Sequence, residues 1–512
     1  MALQNEMFSA LSYATSKGFR IHPDAFALLS GLDKDVLNVV KEIILLKGRH
    51  ENAPDGSLIL VDDIKNFIQP RHDEVAVEQK SRILLDPTPK INTAEGAEGY
   101  AELFRSRFEK SMRIFSQRPD SKRITKISSV KQRSSSALES KPQSRKKGQP
   151  ADQEGSREDK YDNENAGAAT FVVAGLLMSK RSKKAAVELV IDDYSGTLSA
   201  LAVSEEVKNY ASTLALDQAI MMELESTSAG LLVRKVVSPD IPDHISNRSK
   251  SETYAVLISD LHVGSRHFME AEFKSFLGWL SSEDEIAQRV RFLCIGGDLV
   301  DGTGIFPEQD KELVEIDVSR QMARVTQLLA TVPKHIKIFA IPGNHDPGRR
   351  ALPQPAFPVQ GSGGLYSLDN CTVLGNPAFV ELNGVKILMY HGQSLDDIIA
   401  AVPGLSYSNP AEAMKVLLRA RHLSPIYGGR TPIAPEQEDM MVITEVPDIL
   451  HSGHVHVVDV ASYKGTLIVN SGAWQSQTKF QQTMGITPTP GIAILVNLST
   501  LEPIGRDFKL TQ

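Results

Sequence analysis

This chain is poor in cysteine. Two thiols in 512 residues, Cys294 and Cys371, exclude a disulfide framework and a thiolate metal site. Cys294 lies within the apolar run 290–295 and is expected in the core of a strand. Long apolar runs are also missing. None approaches the roughly 20 residues that cross a bilayer, so no membrane association is expected. The opening stretch MALQNEMFSALSYATSKGFR lacks the apolar centre of a signal peptide, and a reducing cytoplasm is the expected compartment. Charge of one sign is missing too: 56 Lys and Arg stand against 63 Asp and Glu, a formal net charge of −7. That balance neither selects nor excludes a nucleic-acid partner, because charge on one face matters more than the total. The chain exceeds what one core can organise, and three or four domains are expected.

What is present changes character along the chain. Residues 1–70 show helical spacing: Met7, Phe8, Leu11 and Ala14, then Ala25, Leu28 and Leu29, then Val36, Val39, Val40, Ile43 and Ile44. Gly18, Pro23, Gly31 and Gly48 punctuate these stripes, which predicts a small helical interaction domain. Residues 71–117 read as a connecting segment with one amphipathic helix over 97–117. From 118 to 166 apolar residues thin out, and a basic half (Lys122 to Lys147) precedes an acidic half (Asp152 to Glu164). Such a stretch buries too little apolar surface to offset its ordering entropy, so a disordered linker is expected.

Residues 167–245 carry five short apolar strands separated by turns such as 192–196, which predicts an OB-type β-barrel. Barrels of that kind bind single strands by stacking bases on aromatics. Only Phe171, Tyr194 and Tyr210 are at hand, so a docking barrel is as well supported as a DNA-binding one. Residues 250–512 alternate apolar strands with helical or looped segments, a layered α/β pattern.

This last region holds five motifs, each just past an apolar strand, where loops converge and sites form. They are Asp260-Leu-His262, Gly297-Asp298-Leu-Val-Asp301, Gly343-Asn344-His345-Asp346, Tyr390-His391-Gly392 and Gly453-His454-Val-His456. Any one alone is an ordinary turn, since Asn, Asp and Gly favour turns. All five in order supply the ligands of a two-metal phosphoesterase. Cleaving a phosphodiester near neutral pH needs a nucleophile from water, neutralised phosphate charge and a proton for the leaving oxygen, and two metals meet the first two needs. Asp298 is the natural bridging carboxylate. Asp260, His262 and His456 would complete one metal, and Asn344, His391 and His454 the other. Oxygen and imidazole donors suit Mn, Fe or Zn. His345, beside a ligand and facing substrate, is the candidate proton donor. Asp301 and Asp346 are expected to orient histidines. His267, His335 and His451 fall outside the pattern and are expected as surface or core histidines.

These residues resemble the calcineurin-like metallophosphoesterase superfamily across roughly 252–475. The stretch Arg419-Ala-Arg-His422-Leu-Ser-Pro425-Ile-Tyr-Gly428-Gly429-Arg430-Thr-Pro-Ile-Ala-Pro435-Glu, followed by Pro447-Asp-Ile-Leu-His-Ser-Gly-His-Val-His456, narrows the resemblance to the small subunit of archaeal family D DNA polymerase. The order of helical domain, linker, barrel and phosphoesterase matches that family as well. The resemblance implies a 3′→5′ proofreading exonuclease that releases 5′-mononucleotides. It implies two divalent metals, usually manganese, on the two ligand sets above, with His345 as the catalytic histidine. It further implies a large polymerase subunit as partner, DNA bound by a 3′ end or single strand, and a sliding clamp or other replication protein for the N-terminal domain. Arg430, between glycine and proline, is the candidate phosphate contact. Two alternatives stand beside this: a non-catalytic metal-binding scaffold, or a free-standing phosphodiesterase. The barrel and helical domain argue against the latter, which needs neither.

Overall fold

The structure, a computed structural model, describes residues 2–30, 36–47, 58–61, 63–64, 79–139, 169–228, 230–483 and 485–509. It divides into two compact units, Met1–Glu78 and Gln79–Gln512. In the first, the helices Ala2–Ser16, Pro23–Ser30 and Val36–Lys47 share an apolar core with two short parallel strands, β1 (Arg20–Ile21) and β2 (Leu58–Ile59). The buried stripe of the first helix is Met7, Ala10 and Ala14. Phe8, which the sequence stripe includes, is exposed. Each residue advances about 100° around a helix, so position 8 leaves the face that positions 7, 10 and 14 share. Gly31 and Gly48 lie outside the described residues.

The second unit begins with β3 (Ser81–Leu85) and the helix Gly96–Ser116. A barrel follows, made of β4 (Thr170–Ser182), β5 (Val187–Asp192), β6 (Thr197–Ala202), β7 (Ala219–Thr227) and β8 (Gly230–Val237). It closes in the order β4-β5-β6-β8-β7, a five-stranded Greek-key barrel of the OB type. Strand alternation divides its residues. Val173, Leu177, Ile220 and Met222 fill the interior. Ala174, Leu176, Ala219 and Met221 face out, where Phe104, Phe108, Met112 and Phe115 of the helix Gly96–Ser116 cover them.

The stretch 118–166 is not all linker. Pro119–Arg123 forms a 3₁₀ turn, and Ile127–Glu139 forms a helix whose Ile127 and Val130 enter the barrel core. The Ile127 amide donates to Asp193 Oδ2 at 2.9 Å and the Ser128 amide to Ser195 Oγ at 3.0 Å, so the barrel turn caps this helix. Two apolar residues three apart suffice for that docking, and a composition average over the whole stretch hides them. Residues 140–168 lie outside the described residues.

The remainder is two six-stranded sheets. The strands are β9 (Tyr254–Ile258), β10 (Val290–Ile295), β11 (Lys337–Ala340), β12 (Cys371–Val373), β13 (Ala378–Leu382), β14 (Val385–Met389), β15 (Ile449–Ser452), β16 (Asp459–Tyr463), β17 (Thr466–Asn470), β18 (Ile492–Asn497) and β19 (Pro503–Asp507). One sheet runs β12-β11-β10-β9-β18-β19 and the other β16-β17-β15-β14-β13-β3. Thus β3, in a segment expected to connect, is an edge strand antiparallel to β13. In β9, Tyr254, Val256 and Ile258 pack towards the helices Glu270–Leu280 and Val318–Leu329. Ala255 and Leu257 pack across to Ile387, Met389 and Ile449 of the other sheet. The helices Leu395–Ala401 and Pro410–Ala420 cover that second sheet. Two sheets face to face between helices bury their central strands on both sides, which is why those strands read as unbroken apolar runs. The C-terminal ends of β9, β10, β11, β14 and β15 each release one motif loop. Among the described residues, no helix is long and apolar enough to cross a membrane.

Candidate metal centre

The five loops converge, and the side chains fall into two groups. In the first, His262 Nε2 lies 3.1 Å from His456 Nε2. Asp260 Oδ1 lies 3.4 Å from His456 Nε2 and 3.9 Å from His262 Nε2. That oxygen is buried and has no hydrogen-bond partner. A bare carboxylate oxygen facing two imidazole nitrogens is costly unless a cation joins them. In the second group, His391 Nε2 lies 3.0 Å from Asn344 Oδ1 and 3.3 Å from Asp298 Oδ2. Asp298, His391 and His454 bring ligand atoms within 4.8 Å of one another. Asp298 Oδ2 is also 3.8 Å from His262 Nε2, so one carboxylate reaches both groups. Its Oδ1 accepts the His345 amide at 2.8 Å.

Backbone shape places these side chains. Asp260, His262, Asp298, His454 and His456 all have φ between +51° and +71°, a conformation that L-residues hold only when their surroundings force it. Two motif glycines allow the crowding. A Cβ on Gly343 would come 2.2 Å from Asp298 Oδ1, and one on Gly453 would come 2.3 Å from Asp260 Oδ2.

A second layer of groups fixes each imidazole. His262 Nδ1 bonds Asp301 Oδ1 at 3.0 Å, and Gln475 and Gln309 donate to the same carboxylate at 3.0 and 2.9 Å. His391 Nδ1 donates to the Gly296 carbonyl at 2.8 Å. His456 Nδ1 lies 2.8 Å from the Gln481 side-chain amide. His454 Nε2 bonds Asp396 Oδ2 at 3.2 Å, leaving Nδ1 for the second group. Nothing in the sequence motifs points to Asp396, Gln309, Gln475 or Gln481. Only Asp396 carries any local signal, as an acid in the first turn of the helix that follows His391. The expectation that Asp346 orients a histidine is corrected: among the described residues, the groups that bond its carboxylate are backbone amides. It accepts the amides of Gly343 and Val300 at 2.9 and 3.1 Å, tying two motif turns together. A carboxylate within reach of two unpaired amides satisfies them before it reaches a ring.

The electrostatics favour positive charge in the gap. Burial alone would raise Asp298, but the imidazoles of His391, His345 and His262 hold its carboxyl well below the usual range. Burial opposes a charged His391, yet Asp298 and Asp260 pull it up to about 9. Likewise, burial opposes a charged His262, and Asp301, Asp298 and Asp260 raise it to about 9. Burial, with Asp298 nearby, pushes Asp346 up to about 7. Burial also lowers His345, whose ring stands edge-on to His262 with centroids 4.7 Å apart. His345 Nδ1 donates to the Asp301 carbonyl at 2.8 Å.

His262, His456, Asp298, Asn344, His454 and His345 form the floor of a cavity of about 270 Å³. Arg430 is exposed at this cavity and at an adjoining lobe that also holds Arg350. The other arginines of its segment are engaged elsewhere. Arg419 donates to the Thr213 carbonyl at 2.9 Å, and Arg421 to the carbonyls of Ile443 and Thr444 at 2.6 and 2.8 Å. His267 pairs with Glu312 at 2.9 Å, and the buried His451 bonds Ser471 Oγ at 2.9 Å. His335 contributes its carbonyl to Gln79 at 2.9 Å and lies apart from the centre.

Residues 255–456 match the family of the B subunits of DNA polymerases alpha and epsilon. The chain is 35% identical over 456 residues to the DNA polymerase II small subunit of Pyrococcus furiosus, covering 86% of this chain and 69% of that one. It is 33% identical over 521 residues to the DNA polymerase II small subunit of Archaeoglobus fulgidus, covering 96% of each. Among solved structures, an archaeal phosphodiesterase aligns over 50% of this chain and 99% of its own at 14% identity, with a TM-score of 0.27, too slight a likeness to bear weight.

Proposed function

Since the chain belongs to the family of archaeal DNA polymerase II small subunits, we propose that its buried Asp–His–Asn site removes nucleotides from the 3′ end of DNA, proofreading for a large polymerase subunit. The observation that carries this reading is Asp298, one carboxylate within 3.3 Å of His391 and 3.8 Å of His262, between two donor groups. The donors fit two divalent cations, with manganese the metal expected from the family. They are oxygen and imidazole without thiolate, and Asp260 Oδ1 is bare and buried. Asp260, His262 and His456 would hold one ion, Asn344, His391 and His454 the other, and Asp298 both. When bound, such a pair supplies positive charge against the phosphate and a more acidic attacking water.

The chain's own residues do the rest. Asp301, Gln481, Asp396 and the Gly296 carbonyl occupy the outer nitrogens of four histidines, so the inner nitrogens stay aimed at the gap. The Asp301 carbonyl holds His345 by Nδ1, which leaves Nε2 to pass a proton to the 3′-oxygen of the shortened strand. Arg430 takes a non-bridging phosphate oxygen or the next phosphate along the strand. The product is a 5′-mononucleotide.

The test is degradation of 5′-labelled DNA with a 3′-mismatched end. A ladder that shortens from the 3′ end, requires Mn²⁺ and disappears in His345→Ala is the expected outcome. No cleavage, even with the large subunit added, would leave a metal-binding scaffold as the better account.

A further inference from the structure

The metal cavity has a part that the phosphate chemistry does not use. Phe480 is 62% exposed and Phe306 is 36% exposed, and both line this cavity together with Tyr407 and Ile486. Neither phenyl belongs to the apolar clusters of the domain, and among the described residues neither packs on another aromatic ring. Leaving such rings in water forfeits the gain of burying them. The floor beside them is made of carboxylates and imidazoles, so the rings serve some other portion of whatever binds.

Each ring is held next to a residue that fixes the floor. Phe480 precedes Gln481, whose amide hydrogen-bonds His456 at 2.8 Å. Phe306 shares a loop with Gln309, which donates to Asp301 at 2.9 Å. Phe480 stands on the short helix Lys479–Thr483 and Phe306 on a loop far from it in sequence, yet both are tied to the first donor group.

We propose that Phe480 and Phe306 stack on the nucleobase of the 3′-terminal nucleotide, the one being removed, and so select an unpaired end. This rests on the exonuclease reading above. With the scissile phosphate on the floor, the terminal nucleotide's aromatic base is the portion that reaches an apolar wall. Stacking suits every base alike, as an exonuclease requires. A base still paired in a duplex cannot occupy the wall. Extrusion costs least at a mismatch, so the wall turns poor pairing into preferential binding.

The experiment measures binding apart from cleavage. The full chain carrying His345→Ala is titrated in Mn²⁺ against two 5′-labelled single-stranded oligonucleotides, and anisotropy is read. One has an ordinary 3′-terminal nucleotide, and the other ends in an abasic residue. Without further change the base-bearing end should bind about tenfold tighter. Adding Phe480→Ala or Phe306→Ala should erase that preference, Phe480→Trp should keep it, and the melting temperature should not move. No preference in the parent, or a preference that survives both alanines, overturns the proposal. Cleavage by the chain with His345 intact is scored separately. Base preference without cleavage would sink the catalytic reading and leave the wall, and cleavage indifferent to the terminal base would do the reverse.

Discussion

A single methyl group would disrupt this centre. Gly343 approaches Asp298 so closely that a Cβ would lie 2.2 Å from Oδ1, the oxygen that also accepts the His345 amide. Gly343→Ala must therefore displace the carboxylate shared by both donor groups. Calorimetric titration with Mn²⁺ should show affinity reduced more than tenfold while circular dichroism stays unchanged, and undiminished binding would mean that Asp298 is not a shared ligand. Asp396 acts more gently, through His454. Asp396→Asn keeps the size but loses the charge that orients the ring, and Mn²⁺ affinity should fall about 10- to 100-fold with no change in metal-free melting temperature. The candidate ligands are legible in sequence because each sits in a turn directly after an apolar strand. Asp396 leaves only the weak trace of an acid in a first helical turn, and Gln475 and Gln481 leave none. Gln475 reaches Asp301 across 174 positions and Gln481 reaches His456 across 25, and only the fold brings them together.

At the level of elements, the helix Gly96–Ser116 joins the barrel to the two-sheet body through one buried network. Arg107, 1% exposed, donates to Asp439 Oδ2 at 2.8 Å, to the Pro425 carbonyl at 2.6 Å and to the Asp217 carbonyl at 3.1 Å. His422 Nδ1 accepts the Ser424 amide at 3.0 Å, so its Nε2–H donates to Asp439 at 3.0 Å and the ring is neutral. A proton on Nδ1 would break the first of these bonds. Burial, with Arg107 nearby, lowers His422 to about 4. The sign follows. Between pH 6.5 and about 4 the unfolded chain binds a proton that the folded chain refuses, so stability falls as pH falls through that window and is flat above it. The loss is on the order of 3 kcal/mol. Calorimetric melting across pH 4–7 should show this decline, and His422→Gln should remove most of it. Burial opposes a charged Asp439, but the His422 ring and the Arg107 guanidinium beside it keep it ionised, and its own contribution is lost only at still lower pH. Amphipathic spacing made the helix legible in the sequence. A buried arginine in its apolar face did not announce its partners, which lie more than 300 residues away except for Asp217.

For the whole molecule, the layered α/β body, the barrel and the helical N-terminal unit follow from patterns of period two and period 3.6. The joints inside the second unit do not, because a joint needs only a few residues. Ile127 and Val130 seat one helix on the barrel, and five residues of β3 add an edge to the second sheet. These joints predict where the chain tolerates shortening. Among the described residues, the apolar clusters of the second unit draw on none before Leu84, while that of the first extends to Ile64. A chain of residues 79–512 should therefore keep the melting temperature of the second unit and its Mn²⁺ affinity. Cutting instead at 118 removes β3 and the helix Gly96–Ser116. It bares Ala174, Leu176, Ala219 and Met221 and leaves Asp439 buried without Arg107. Removing one partner of a buried ion pair costs about 3–5 kcal/mol even before the lost apolar packing is counted. The shorter chain should melt well below the longer one or aggregate when both are scanned side by side. Equal melting of the two would show that the segment 79–117 is an appendage and not the brace between the barrel and the two-sheet body.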